Sequence, residues 1–490
     1  MSFSNSAGAY SRIIDRSFVV TGAGLMVGGI VVTADRGPVT TNLVTSAREF
    51  INTYGTPSRD NPSLHSAIRF LNRAGALTVR RVINDAAVAT GVIMDDTDIS
   101  PVEAITVSSA NPGTWGNNIS ITFSEIIGST NSFLLTVLEN GETVEQHEAS
   151  RDTTAKNGYN QSLYIEDVIN NGRSDYITVV DDITNASDVD LTQTVTLAGG
   201  TDDTATPDEA AIISAWDDFV SVDSVDAQLL INGGWASAPV QQKMTSVAQI
   251  RDDAVAILDV PEADSDDVTA MVAYYETLGS NTYYGGLYGG WLRVYDQYND
   301  REVNVPPSGD VAATFVVTVA NGERWDAPAG LINGIIPNAL GVTKVFSEGE
   351  RDVLYVNGIN PVTSLGGASA VIWGQKTLIQ PDSTALSRFN VINSLLWMQN
   401  RMKSALQPFV FQPNTSFTRD NINYLLSSFL DSIQSRGGLY GFNVDTSEEI
   451  NTPQVIDSNQ LMVEVHVQPT RSIEFIRMSL IVQRTGVQLG

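Results

Sequence analysis

One run constrains this chain more than any other. Ala254-Val255-Ala256-Ile257-Leu258-Asp259-Val260 is apolar at nearly every position and is closed by Pro261. A strand with one wet face alternates apolar and polar residues. A continuous apolar strand is covered on both faces, as in a parallel sheet sandwiched by helices. The neighbouring pattern agrees. Val225-Asp226-Ala227-Gln228-Leu229-Leu230-Ile231 reads as a second buried strand. Gln241 to Asp252 reads as a helix, and Asp264 or Ser265 is placed to cap a helix running to about Leu278. Strands and helices alternating from about residue 205 to 375 imply βαβ units and a largely parallel sheet.

The 490 residues allow about three domains at ~150 residues each, and the texture changes on both sides of this region. Residues 1–17 are rich in Ser, Asn and Gly and read as an arm. Phe18 to Ala34 carries no charge and contains Gly22, Gly24, Gly28 and Gly29. Two buried strands joined by a glycine turn fit it better than a signal peptide or a short membrane span. Asp35-Arg36-Gly37-Pro38 is a turn. Ser46 can cap a helix through Tyr54 with Glu49 at the capping-box position. A helix from Ser63 to Arg73 follows, then a strand over Thr78–Ile83.

From about 95 to 200 short alternating runs predominate, around Ile105, Ile119–Phe123, Phe133–Leu138 and Tyr176–Val180. Asn140-Gly141, Asn157-Gly158 and Asn171-Gly172 separate them, which predicts an all-β sandwich or barrel inserted into another domain. The last 115 residues turn to α+β. Arg388–Leu406 is helical, and Thr418 is expected to cap a helix with Ile422, Leu425, Leu426, Phe429, Leu430 and Ile433 inward, stopped by Gly437. Leu461–Val467 is a strand, and Ile476, Met478, Leu480 and Val482 share one face of another. That terminal strand has no following helix to cover it, so its edge needs a partner.

Charge divides the chain the same way. Residues 1–84 hold nine Arg and four acidic residues, residues 376–490 nine of each sign, and the middle 43 acidic and 10 basic. The net −28 makes nucleic acid and anionic membrane poor partners, while a basic end beside an acidic middle can attract further copies of itself. There is no cysteine, which removes disulfides, thiolate metal sites and thiol catalysis.

Motifs for chemistry are weak. Gly22-Ala-Gly24-Leu-Met-Val-Gly28 places its third glycine one residue late for a dinucleotide fingerprint, and a β-branched run follows where a helix N-terminus is needed. The carboxylates at Asp95–Asp98 and Glu262–Asp267 lack the calcium-loop pattern and read as turns and caps. His65, His147 and His466 are the only histidines, none lies beside a strained glycine turn, and no GxSxG elbow exists. The aromatic cluster Tyr283–Trp291 reads as core packing rather than a stacking platform for a ligand.

A set of marks then occurs in order along some 450 residues. They are Arg36-Gly37-Pro38, Val44-Thr45-Ser46, Phe50 to Gly55, the helix and strand over Ser63–Val82, and Ala256-Ile257-Leu258-Asp259-Val260-Pro261. Val305-Pro306-Pro307-Ser308-Gly309, Trp325-Asp326-Ala327-Pro328-Ala329-Gly330, Gly358-Ile359-Asn360 and Val371 to Leu378 follow. Phe411-Gln412-Pro413-Asn414 and Asn451-Thr452-Pro453 complete them. In this the chain resembles the phage contractile tail sheath family. It departs at Ala74-Gly75-Ala76, where the family has a Gly-Gly pair before its Arg-Val strand.

The resemblance implies an α/β and α+β multidomain chain: a subtilisin-like α/β central domain, an inserted β-sandwich, an α+β C-terminal domain and extended arms at both ends. On this reading 1–17 is a linking arm, 18–94 the first part of the α/β core, and 95–200 an insertion on the outer surface. Residues 201–375 are the sheath domain, 376–473 the C-terminal domain and 474–490 a linking strand. The implied function is a structural, non-enzymatic subunit that polymerises helically around a tail tube and contracts to drive it through the host envelope. The sheath of a phage-derived bacteriocin or injection system is the alternative. The expected partners are copies of itself, the tube protein, and baseplate and tail terminator proteins. No cofactor, metal, nucleic acid or membrane insertion is expected, and the place is the virion tail sheath after assembly in the host cytoplasm. Ile13, Ile14, Phe18, Ile476, Met478, Leu480 and Val482 are the expected intersubunit linkers. Arg80 and Arg81 are expected to meet acidic neighbours. A hydrolase built on the central domain and a host-surface-binding tail protein are the other classes weighed.

Overall fold

The structure is a computed structural model that describes residues 26–474 apart from 58–60, 96–101, 127–131, 173, 185–188, 204–206 and 382. Among these, one compact unit runs to Gly322 and resumes over Asp326–Ile392; a second holds Glu323–Trp325 and the chain from Asn393.

The larger unit is built on an eight-stranded sheet. Its spatial order is Ala368–Ile372, Ile359–Leu365, Gly285–Gly289, Val255–Asp259, Leu229–Ile231, Gly28–Val32, Leu77–Arg81, Asn42–Val44. The inner six strands are parallel, and the two outermost run antiparallel to their neighbours. Every residue of Gly28–Val32, Val255–Asp259 and Gly285–Gly289 is buried, as a sheet covered on both faces requires. The strand expected over Val225–Ile231 is only Leu229–Ile231. Upstream, polar groups hold the chain by other means: Gln228 Oε1 accepts from Val27 N at 2.8 Å, and Thr78 Oγ1 donates to Asp226 O at 3.0 Å. Of the expected strand pair in 18–34, the second strand is Gly28–Val32; the first lies outside the described residues.

Both edges of this sheet are closed. Asn42–Val44 is three residues long, and short edge strands give little template for pairing. At the other edge, residues 334–336 run beside Ala368–Ile372: Ile336 N donates to Ala370 O at 3.0 Å and Ile372 N to Gly334 O at 2.8 Å.

The helices begin where side chains can satisfy their first amides. Ser46 accepts from Glu49 N, while the Glu49 carboxylate reaches past Ser46 to Thr45 N and Oγ1, both at 2.8 Å. Asn61 caps Pro62–Leu71. The helix expected from Asp264 or Ser265 starts later, at Val268 with Asp267 as its cap, because Glu262–Asp264 first forms a 3-10 turn.

The insertion is all-antiparallel. Thr90–Met94, Glu103–Ser109 and Ile177–Asp181 form one sheet; Thr194–Thr196, Ile119–Glu125, Phe133–Glu139 and Glu142–Ala149 form another. Their inward residues, among them Ile105, Val107, Ile121, Leu135 and Val179, make one apolar cluster.

In the smaller unit the helix Ser416–Ser435 packs Ile422, Leu426, Leu430 and Ile433 against Trp325, Met398, Leu439 and Val444. Its cap is Thr415, not Thr418: Thr418 N donates to Thr415 Oγ1, and the Thr418 hydroxyl is spent on Pro413 O.

Candidate intersubunit interface

The smaller unit ends its described chain in a two-stranded ribbon, Leu439–Asp445 against Glu464–Pro469, with Val444 opposite Val465 and Phe442 opposite Val467. Alternation makes it two-sided. Val444, Phe442, Val465 and Val467 face the apolar cluster, while Tyr440, Asn443, Glu464, His466 and Gln468 are exposed. A lone two-stranded ribbon is marginal in water and gains from a third strand.

Its two edges differ. On Leu439–Asp445, the carbonyls of Tyr440 and Val444 accept from Gln434 Nε2 at 3.1 Å and Asn423 Nδ2 at 2.8 Å, both on the covering helix. Along Glu464–Pro469 no side chain caps the main chain among the described residues. Among the described residues that edge is an unpaired row of donors and acceptors, the template that strand addition uses.

The other marks in the sequence converge on joints rather than on a reactive centre. Three consecutive residues that end and follow the Pro-Pro-Ser-Gly segment, Ser308 to Asp310, hold the central strand and the helix Pro62–Leu71. Ser308 N and Oγ donate to Asp259 Oδ1 and Oδ2 at 2.8 and 2.6 Å, tying a helix start to the end of the central strand. Gly309 lies so close to the helix Pro62–Leu71 that a Cβ there would stand 2.5 Å from Ser66 O. Asp310 receives Arg69 through Nε at 2.5 Å and Nη2 at 3.0 Å. Further along, Asn360 donates to Leu287 O and Lys376 O and accepts from Lys376 N, joining two more of the marks.

Asp259 is fully buried, and burial pushes its pKa up to about 7 against the three bonds that favour its charge. The Ser308 hydroxyl donates to that buried carboxylate and accepts from Gly233 N, and no histidine bonds to it among the described residues. The histidines supply no base. His65 is buried, its Nε2 is 3.7 Å from Asp296 Oδ2, and burial lowers its pKa. His147 and Ser174 both bond to Glu145 Oε2, which leaves the acid in the middle, whereas a hydrolytic triad needs the histidine there. His466 is exposed beside Glu464 at 3.6 Å. Among the described residues no group of three His, Asp or Glu could hold a metal ion.

The expected linkers Ile13, Ile14, Phe18, Ile476, Met478, Leu480 and Val482 lie outside the described residues. Arg80 is partly exposed and pairs with Asp218 of its own chain at 2.5 Å. Arg81 is 1% exposed, and its guanidinium is bonded wholly within its own fold. Both were expected to meet acidic residues of neighbouring subunits. The period-2 alternation of a strand was the available signal that two adjacent arginines point to opposite faces.

Residues 205–378 match the central domain of phage tail sheath proteins, and residues 382–483 match the phage tail sheath C-terminal domain. The chain belongs to the phage tail sheath family. The joint residues Asp259, Ser308, Asn360 and Lys376 and the ribbon fall inside the matched spans; the marks between Arg36 and Gly55 precede both. Over 374 residues the chain is 28% identical to the tail sheath protein of Enterobacteria phage T4, covering 72% of this chain and 56% of that protein. Over 403 residues it is 27% identical to that of Vibrio phage KVP40, covering 77% and 59%. It thus spans a little over half the length of these curated relatives. Among solved structures it superposes on the sheath tail protein of Listeria innocua with a TM-score of 0.62 at 15% identity, covering 92% of this chain and 96% of that one. The contracted sheath complex of an extracellular contractile injection system, PVC, gives 0.58 at 14% identity, covering 98% of each. This sheath-family chain therefore shares the fold of the Listeria innocua sheath tail protein and of the injection-system sheath.

Proposed function

We propose that the chain is the structural subunit of a contractile phage tail sheath, polymerising helically around a tail tube and contracting to drive that tube through the host envelope. The observation that carries the reading is the open edge of Glu464–Pro469 in a sheath-family C-terminal domain. A strand from a neighbouring copy, supplied by residues 1–17 or 474–490, extends the ribbon there. Main-chain bonds of ~1 kcal/mol net each, with the buried faces of Ile476, Met478, Leu480 and Val482, hold copies together. Such links persist while rigid domains repack, and heterologous contacts that do not close build tubes.

In this reading the central domain is subtilisin-like in architecture without its chemistry, the insertion is a β-sandwich on the outer surface, and the chain is not an enzyme. Ile13, Ile14 and Phe18 belong to the N-terminal link. Arg80 meets an acidic neighbour at the cost of its internal pair with Asp218. The partners are further copies, the tube protein, and baseplate and terminator proteins, within a virion assembled in the host cytoplasm. The likeness to the contracted injection-system sheath supports a second reading, a sheath of that class, with the same subunit physics.

Deletion of residues 1–17 or of 474–490 tests the proposal. Either should leave a folded, soluble subunit that forms no tubes in electron micrographs. Tubes of normal length from either deletion would refute it.

A further inference from the structure

An insertion of about a hundred residues on two connecting strands could swing freely. Here every connection is braced. The outgoing and returning chains pair at Ala87 and Thr201, with Ala87 N to Thr201 O at 3.0 Å and Thr201 N to Ala87 O at 3.2 Å. A single carboxylate oxygen, Asp203 Oδ1, accepts from the amides of Asn84, Asp85 and Ala86 at 2.8, 2.9 and 2.8 Å. Asp202 holds the insertion's own loop through Thr114 N and Oγ1 at 2.7 and 2.6 Å.

Beneath these lies Arg81, at the end of a strand of the main sheet. Its Nε donates to Ala34 O at 2.8 Å and its Nη1 to Gly37 O and Pro112 O, both at 2.9 Å. Ala34 and Gly37 belong to the turn after Gly28–Val32, and Pro112 to the insertion. One planar cation thus bonds both bodies; burial lowers its pKa, and Asp203, Asp35 and Asp202 nearby counter part of that effect. The backbones meet directly as well: a Cβ on Gly113, whose φ is +139°, would stand 2.2 Å from Asp35 O. Arg36 reaches Glu139 on the insertion at 3.2 Å.

We propose that Arg81 is a positioning residue that locks the β insertion to the main sheet, so that the two turn as one body whenever the subunit changes packing. The fork geometry explains why an arginine serves here: three carbonyls from two segments need several donors fixed in one plane. In a contracting sheath the insertion is then carried through the same rotation as the domain beneath it, which rests on the function proposed above. The lock itself is a property of one chain and stands or falls without it.

The absence of cysteine makes site-specific spin labelling clean. Tyr159→Cys on the insertion and Ile332→Cys on the main body are both well exposed. The full chain carrying both labels, diluted into unlabelled protein, should give one narrow distance distribution by pulsed electron resonance. Arg81→Met should broaden it about twofold or more, as local opening without global unfolding does. A control pair at Ile250→Cys and Ile332→Cys, both on the main body, should keep its width. A broad distribution in the unsubstituted chain would overturn the lock, and an unchanged one in Arg81→Met would overturn the role of Arg81. If Arg81→Met fails to fold, Asp203→Ala decides by the same reading: it should broaden the first pair and not the second, and equal widths would refute the proposal.

Discussion

The central sheet and the C-terminal ribbon handle the same problem in opposite ways. The sheet ends in a three-residue strand on one side and in a strand bonded to residues 334–336 on the other, so among the described residues no long row of main-chain groups is left for a stranger. The ribbon leaves Glu464–Pro469 uncapped. The interior differs as well. The sheet's helices are fixed by Asp259, Gly309 and Asp310, and Asn360 ties its own strand to Leu287 and Lys376, each reaching a residue distant in sequence. The ribbon rests on a helix through apolar side chains and two amide caps. Under the function proposed above, the cross-braced region is the one that turns as a rigid body and the lightly held region is the one that accepts another chain. Substitutions should therefore cost the single subunit much in the first region and little in the second.

The largest cost is expected at Gly309. A methyl group there meets the Ser66 carbonyl at 2.5 Å, and main chain on both helices cannot step aside as a side chain could. Gly309→Ala should lose about 4 kcal/mol, read as a lower urea midpoint at unchanged slope. A loss under about 1 kcal/mol would mean that the two helices slide freely and that the brace is not one.

Asp259 sharpens the same point through pH. Its carboxyl titrates near 7 in the fold against an ordinary value of 3.8. The folded state therefore holds the proton more tightly than the unfolded state. This contribution is fully present below about pH 4 and is lost as pH rises through 7. The loss is roughly 4 kcal/mol across that window, from three pKa units at 1.36 kcal/mol each. Chemical denaturation between pH 4 and 8 should show the decline, and Asp259→Asn should flatten it. A slope equal in both proteins would show that the Ser308 and Gly234 bonds outweigh burial.

Arg69 comes next. Its bidentate pair with Asp310 has side chains 13% and 2% exposed, so Arg69→Met strands a buried carboxylate and should cost about 3 kcal/mol. Arg73, whose Nη1 donates to Asp310 O at 3.2 Å, gives partial relief. The double substitution Arg69→Met with Asp310→Leu should recover part of the loss.

These braces explain what could be read from the chain and what could not. Val255–Asp259 and the two long C-terminal helices were legible because burial on both faces, or on one helical stripe, writes itself into adjacent residues. The partner of Asp259 was not. Ser308 lies 49 residues away, and nothing in a Pro-Pro-Ser-Gly segment says which carboxylate it meets. Arg81 misled for a related reason. A tandem of arginines reads as surface charge, and only the fold brings Ala34, Gly37 and Pro112 to one point. Helix starts shifted by three residues at Thr415 and by two or three at Asp267, since several nearby hydroxyls and carboxylates could cap and local geometry chose among them. The second strand of the ribbon was expected over Leu461–Val467 without its unpaired edge, and the uncovered terminal strand expected over 474–482 runs beyond the described residues.

The smallest effects are expected on the ribbon, and they test its sidedness by comparing neighbours. Val465 faces the apolar cluster and His466 faces solvent with its side chain 68% exposed. Val465→Ala should cost the single subunit about 1 kcal/mol, the lower range for a partly buried valine. His466→Ser should stay within about 0.5 kcal/mol. If the two cost the same, the ribbon does not present one dry and one wet face, and the contrast with the braced sheet fails. If they differ as stated, a two-stranded ribbon lightly held on one side keeps its main-chain edge straight and exposed, a posture that repays the fold only when a further strand arrives.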